Sequence, residues 1–237
     1  MKQSIFTIVQ NTPLTQDVYK MVLRGDTSAI TAAGQFVNIQ LSGKFLRRPI
    51  SVCDWDKTTL TIVYKVVGHG TQQMSKMAAG EQLDVLTGLG NGYDLRLAGE
   101  KPVLIGGGVG VPPMYGAAKR LAATGIKATV ILGFNTASEI FYEQQFRDLG
   151  CDVLVTTVDG SYGIKGFVTD ALKDVAYTYF YTCGPEPMLK AVYKATATSG
   201  QMSFEERMGC SCKTLTGYKR ICKEGPVMKK EEILWES

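Results

Sequence analysis

Two glycine-rich turns, a pair of arginines before a proline and a late group of cysteines are where this 237-residue sequence is equipped for chemistry. Gly106-Gly107-Gly108-Val109-Gly110-Val111-Pro112-Pro113 follows an apolar run and opens a helical pattern, with proline near the first helical position, where its missing N–H costs nothing. Glycines admit a ligand to the backbone, and the unpaired N–H groups of a helix start favour an anion such as phosphate. The strict G-x-G-x-x-G spacing is absent and no acidic residue follows at the expected distance, so a plain strand-to-helix turn would use the same residues. A second junction, Thr182-Cys183-Gly184-Pro185-Glu186-Pro187-Met188, closes the last expected parallel strand. Its thiol stands where ligands bind in such sheets, or is an inert buried cysteine.

Arg47-Arg48-Pro49-Ile50-Ser51 places two guanidinium groups and a hydroxyl on an extended segment, because Pro49 biases Arg48 toward β geometry. Arginine suits bidentate phosphate binding. Gly68-His69-Gly70-Thr71 is a further glycine-rich loop before a helix expected over about Thr71 to Ala79, with Thr71 as its N-cap. His69 is the one histidine, so a Ser-His-Asp triad has a single possible base, and zinc sites built on two or three imidazoles are excluded. Cys53, Cys151 and Cys183 are scattered, whereas Cys210, Cys212 and Cys222 cluster, which is too uneven for a secreted disulfide framework.

The elements that position these residues change rhythm once. Up to about residue 98, Ser4 to Gln10, Asp17 to Arg24, Gly34 to Leu41 and Thr59 to Val67 follow period two, which predicts an antiparallel β-barrel. Leu60, Ile62, Tyr64 and Val66 form one face there, and Thr59, Thr61, Val63 and Lys65 the other. Strands then alternate with helices: Pro102 to Ile105, helix Pro113 to Ala123, Ala128 to Phe134, helix Glu143 to Leu149, Asp152 to Val158, helix Val168 to Val175, Tyr177 to Thr182 and helix Glu186 to Thr198. A parallel sheet with helices on both faces follows. Three units are expected: 1–98 as barrel, 99–200 as α/β nucleotide-binding domain, and 201–237 as a short Cys-containing tail. Two phosphate-competent features in a barrel followed by a βαβ domain point to a flavin nucleotide in one half and a nicotinamide nucleotide in the other. The net charge of +4 is spread along the chain and no apolar run nears the roughly 20 residues of a membrane span, so neither nucleic acid nor a membrane is an expected partner, and a cytoplasmic protein is expected.

In this order the elements resemble the ferredoxin reductase-like flavoproteins over essentially the whole chain. Arg48-Pro49-Ile50-Ser51, Lys65-Val66-Val67-Gly68-His69-Gly70-Thr71, Leu89-Gly90-Asn91-Gly92, Cys183-Gly184-Pro185-Glu186-Pro187-Met188 and Ser203-Phe204-Glu205-Glu206-Arg207-Met208 are similar to the electron-transfer subunits of NAD-dependent, type B dihydroorotate dehydrogenases. The resemblance implies FAD, with Arg48, Pro49, Ile50 and Ser51 on its isoalloxazine and phosphate side, the backbone of Val63, Tyr64 and Lys65 lining it, and Gly70-Thr71 at the pyrophosphate. It implies NAD as substrate at Gly106, Gly107, Gly108 and Gly110 and at Cys183, Gly184 and Pro185, with Cys183 the side chain nearest the nicotinamide and no general base required. It also implies an FMN-containing, dihydroorotate-oxidising catalytic subunit as partner, two of each subunit, in pyrimidine biosynthesis. A related NAD(P)H:ferredoxin or sulfur-compound reductase subunit, or a redox module that binds flavin or NAD without turnover, would share the architecture.

The same resemblance implies a [2Fe–2S] cluster on four cysteines spaced C-x4-C-x2-C with a distant fourth. Here Cys210 aligns with the first or the third ligand, Cys222 with the fourth, and Cys212 with a cysteine that is not ordinarily a ligand. Two ligands are missing, together with a glycine-rich loop of about eight residues. Four readings stay open: no cluster, a ligand from outside the set, zinc on the three thiols, or a lost segment.

Overall fold

The computed structural model describes residues 1–204 and 212–235, with only the backbone of Cys212. Strands β1 (Lys2–Pro13), β2 (Val18–Arg24), β3 (Phe36–Gln40), β4 (Arg48–Trp55), β5 (Thr59–Lys65) and β6 (Gln82–Leu89) close an antiparallel barrel in the order β1-β2-β5-β4-β3-β6. Its interior is filled by the inward-facing members of the period-two pattern, among them Phe6, Met21, Leu23, Val37, Ile39, Leu60, Ile62, Tyr64 and Val85. Helix α1 (His69–Ser75) follows β5 and starts two residues before its expected position. Thr71 is not its N-cap: Gly68 is, and the Thr71 hydroxyl reaches back to accept from the N–H groups of Val67 at 3.0 Å and Gly68 at 3.3 Å.

The second half contains β7 (Pro102–Gly107), α2 (Val111–Ala123), β8 (Thr129–Phe134), α3 (Glu143–Asp148), β9 (Asp152–Thr157), β10 (Ile164–Lys165), α4 (Val168–Leu172), β11 (Tyr179–Cys183), α5 (Glu186–Ala195) and β12 (Gly200–Ser203). After these come the hairpin β13 (Cys212–Thr214) and β14 (Gly217–Lys219), then α6 (Ile221–Glu224) and β15 (Val227–Lys229). The sheet order is β10-β9-β8-β7-β11-β12-β15, parallel except for β15, which returns antiparallel to β12. The tail therefore finishes the sheet as its last strand, and α2 and α3 cover one face while α4 and α5 cover the other. From β7 the chain builds outward through β8, β9 and β10, then crosses back to place β11 on the other side of β7. That reversal leaves a crevice outside the carboxyl ends of β7 and β11, the place where open α/β sheets bind ligands.

Barrel and sheet meet along β4 and α2. A β-carbon on Gly116 would stand 2.6 Å from the Cys53 carbonyl, so glycine is what allows the helix to sit against the strand. Asp54 of β4 pairs with Lys119 at 2.5 Å and Arg120 at 3.6 Å, and the Arg120 guanidinium stacks 3.2 Å from the Trp55 ring centre. A cation over an indole contributes about 0.5–2 kcal/mol, more as water is excluded. Burial lowers the Arg120 pKa, and the Asp54 carboxylate opposes that shift. Val63, on the outer face of β5, is buried in the same core as Met114 and Ala117 of α2, so this strand is covered on both faces. Among the described residues no helix is long and apolar enough to cross a membrane.

Candidate functional site

A cleft of about 450 Å³ opens between the barrel and the sheet. The barrel side is formed by Arg48, Pro49, Ile50 and Ser51 at the start of β4, Val63, Tyr64 and Lys65 at the end of β5, and Thr71 of α1. Facing them are Gly107 and Gly110 after β7 and Gly184 and Pro185 after β11. Val67 and Val109 line it as well. Neither is legible from the sequence as a site residue, because an apolar residue inside a glycine-rich stretch carries no chemical signal of its own.

Four expected residues stand behind the wall. Gly70 backs Arg48, since a β-carbon there would collide with the guanidinium. Gly106 lies under the turn, where a β-carbon would be 2.9 Å from the Val111 Cα, and Gly108 makes the turn itself at φ +52° with open space around it. Cys183, the side chain expected nearest a nicotinamide, is fully buried at the end of β11 and does not line the cleft. Its backbone contributes instead. Gly106 pairs with Cys183 across the β7–β11 ladder, and Gly110 packs on the Cys183 carbonyl with no room for a side chain.

The two arginines divide their tasks. Arg47 is bound to Asp84 through both nitrogens, at 3.1 and 2.9 Å, and also donates to the carbonyls of Asn38 and Asp84. That hydrogen bonding holds the Asp84 carboxyl below the usual carboxylate range. Arg48 has no carboxylate partner among the described residues and donates only to the Leu46 carbonyl at 2.6 Å, so its charge is directed to the cleft. Lys65 lines the cleft, and its ammonium is paired with Asp17 at 3.1 Å, a residue outside the lining. Tyr64 donates its hydroxyl to Asn11 at 3.0 Å, which fixes the strand that forms the floor.

The ends of β8 and β9 carry an acidic pair that sequence spacing did not reveal. Glu139 lies beyond the expected position, but the turn after β8 folds back so that its carboxylate accepts from the Asn135 N–H at 3.1 Å and side-chain amide at 3.0 Å. Asp159, after β9, accepts from the Ser161 N–H at 2.9 Å and hydroxyl at 2.6 Å, and Ser161 in turn accepts from the Ala137 N–H at 2.8 Å. Ser161 thus joins the two turns. Phe141 and Tyr142 pin them to the core: Phe141 packs on Phe134 at 5.4 Å, and Tyr142, held at φ +69°, accepts from the Cys53 thiol at 3.4 Å. Gly107 pairs with Gly133, which brings these turns beside the glycine-rich loop.

Of the metal ligands implied by resemblance, Cys222 alone has a described side chain. Cys222 is exposed on α6, Cys212 opens β13 with its backbone paired to Lys219, and Cys210 lies outside the described residues. Among the described residues no three metal-ligating side chains come together. Cys53, Cys151 and Cys183 form no disulfide and are buried elsewhere. The residues present do not fit a four-thiolate cluster.

Residues 104–194, from β7 into α5, match the oxidoreductase NAD-binding domain family. The chain is 40% identical over 257 aligned positions to the dihydroorotate dehydrogenase B (NAD(+)) electron transfer subunit of Fusobacterium nucleatum, covering 98% of this chain and 99% of the relative. The Geobacillus protein of the same name is 39% identical, with 99% of each chain covered. These alignments are longer than the 237 residues here, so the relatives hold residues that this chain lacks. A solved chain of the NADH-dependent reduced ferredoxin-NADP oxidoreductase superposes with a TM-score of 0.86 at 28% identity, covering 98% of this chain and 90% of that one. A Neisseria gonorrhoeae ferredoxin NADP+ reductase with bound FAD and NADP shares the fold at TM-score 0.70 and 17% identity, covering 82% and 90%. With a flavoprotein-type barrel, an NAD-binding sheet and near full-length identity of this order, the chain belongs to the family of dihydroorotate dehydrogenase B (NAD(+)) electron transfer subunits.

Proposed function

We propose that this chain takes electrons from a dihydroorotate-oxidising, FMN-containing catalytic subunit and passes them through FAD to NAD+, as the cytoplasmic electron-transfer half of a two-plus-two assembly serving pyrimidine biosynthesis. The cleft carries this reading, because it joins Arg48, which has no carboxylate partner among the described residues, to the carboxyl ends of β7 and β11 at the sheet's reversal point.

FAD, when bound, supplies hydride and electron-transfer chemistry that no side chain of this protein offers. The residues hold and orient. Arg48 offers a planar, permanently charged fork to a phosphate, and Gly70 leaves the space that lets it lie against the start of α1. Thr71 ties the Val67–Gly68 backbone into a fixed loop. Ile50, Ser51, Val63, Tyr64 and Lys65 lie together on the barrel side of a mostly apolar cleft, which suits an isoalloxazine. Gly107, Gly110, Gly184 and Pro185 leave a side-chain-poor face on which a nicotinamide can approach that wall. Positioning of this kind is the protein's share of the catalysis. Glu139 and Asp159 favour a free ribose diol over a 2′-phosphate, hence NAD over NADP. Because the tail does not fit a four-thiolate cluster, no step is assigned to one.

Protein purified anaerobically is expected to contain one flavin that bleaches on addition of NADH. Purification without flavin, or a flavin that stays oxidised with NADH, would overturn the reading. A role as an NAD(P)H:ferredoxin reductase subunit, favoured by the 0.86 superposition, predicts turnover with reduced ferredoxin and none with the dihydroorotate-oxidising partner.

A further inference from the structure

We propose that this chain folds and holds its flavin without an iron–sulfur cluster, its tail being fastened by backbone hydrogen bonds rather than by a metal. The flavin half of this statement rests on the cleft reading above; the tail half does not.

The supply of ligands is short. A cluster held by cysteine alone needs four thiolates, and a structural zinc site needs four ligands, usually cysteine or histidine. Of the six cysteines, Cys53 is sealed between β4 and α2 with its thiol donating to Tyr142, Cys183 is fully buried at the end of β11, and Cys151 is buried at the start of β9. None of these reaches the tail without breaking a core. The single histidine, His69, belongs to α1 on the barrel. Three tail thiols remain, Cys210, Cys212 and Cys222, separated by C-x-C and a longer stretch. Glu224 and Glu232 are committed as well, Glu224 to the Arg220 N–H at 2.9 Å and Glu232 to Lys219 at 2.7 Å.

The tail is meanwhile docked by contacts that need no metal. Gly90 donates to the Cys222 carbonyl at 2.9 Å, and Asn91 donates from its backbone to Gly225 and from its amide to Val227, both at 2.7 Å. The Val227 N–H returns a bond to Asn91 at 3.3 Å. Gly90 must be glycine for this, since a β-carbon would lie 2.6 Å from the Gly225 carbonyl. β15 then pairs with β12 through Gln201–Lys229, Met202–Met228 and Ser203–Val227, and Ile221, Met228 and Ile233 are buried in the core shared with β7 and β11. None of these contacts uses a metal ligand's side chain, so the described part of the tail has a source of folding energy besides metal binding.

The test is metal, sulfide and flavin analysis of the full chain, purified anaerobically with its partner from iron-replete cells, together with thermal melting in the presence and absence of a chelator. Expected are one flavin, iron and zinc far below one per chain, and a midpoint that the chelator does not move. Iron and labile sulfide at two each per chain, or one zinc whose removal lowers the midpoint, would overturn the proposal. Absence of flavin would defeat the cleft reading and, with it, the flavin half, while the metal analysis still decides the tail. A variant with a glycine-rich, two-cysteine segment inserted after Cys210 is expected to gain iron. An unchanged iron content there would show that thiolate shortage is not the cause.

Discussion

The guanidinium of Arg48 lies against the backbone of Gly70 so closely that no β-carbon fits between them. Gly70 has no need of a special backbone angle, so alanine suits its helical position and costs nothing there. The displaced atom is the end of a flexible side chain. Gly70→Ala is therefore expected to leave the thermal midpoint unchanged or slightly raised while weakening flavin binding about tenfold or more, the cost of moving one charge-assisted hydrogen bond, about 1.5–3 kcal/mol. Arg48→Ala should weaken flavin binding to the same degree. Equal flavin affinity in Gly70→Ala and wild type, by equilibrium dialysis, would separate Arg48 from the phosphate.

Gly110 presents the opposite case, because its obstacle is the Cys183 carbonyl, which is backbone and cannot swing aside. Gly110→Ala must part the β7 and β11 turns. Overpacking of this kind costs about 1–3 kcal/mol. The expected result is a lower midpoint and a loss of NADH-driven bleaching greater than any loss of bound flavin, measured on the same preparation by stopped flow.

Removing the acidic pair should relax the choice of nucleotide. Glu139→Gln keeps an acceptor for the Asn135 N–H and removes the charge, and Asp159→Asn does the same for Ser161. Each is expected to raise NADPH use relative to NADH about tenfold, about 1.4 kcal/mol. Comparison of kcat/KM for the two nucleotides checks this, and a ratio unmoved in both variants would place the ribose elsewhere.

Burial pushes the Cys53 thiol up to about 12, from an ordinary value of 9.0. The unfolded chain then loses this proton between pH 9 and 12 while the folded one retains it, so the stability tied to it is complete below pH 9 and lost as pH rises through that window. Urea unfolding across pH 9–12 should show Cys53→Ala with a shallower alkaline decline, by up to about 1.4 kcal/mol per pH unit. Parallel declines in the two proteins would mean that the thiol ionises as readily in the fold as outside it.

Much of the site was legible because its signals are local. Arg48 to Ser51 beside a forced extended residue, and glycines between a strand and a helix, carry their chemistry in adjacent positions, and the period-two and strand–helix rhythms divide barrel from sheet in the same way. The sequence by itself thus determined the architecture, its order and most of the residues that line the cleft. What it left open depends on partners far along the chain. Arg47 and Arg48 are equivalent as neighbours, and only Asp84, 37 positions away, claims one and leaves the other for the cleft. Val63 reads as the outward side of a strand until α2 covers it, Glu139 carries no signal until its turn folds back on Asn135, and the tail becomes a strand of the sheet only beside β12. Periodicity reports which face of an element is apolar, but which surface meets it is set by closure of the barrel and by the reversal of the sheet at β7.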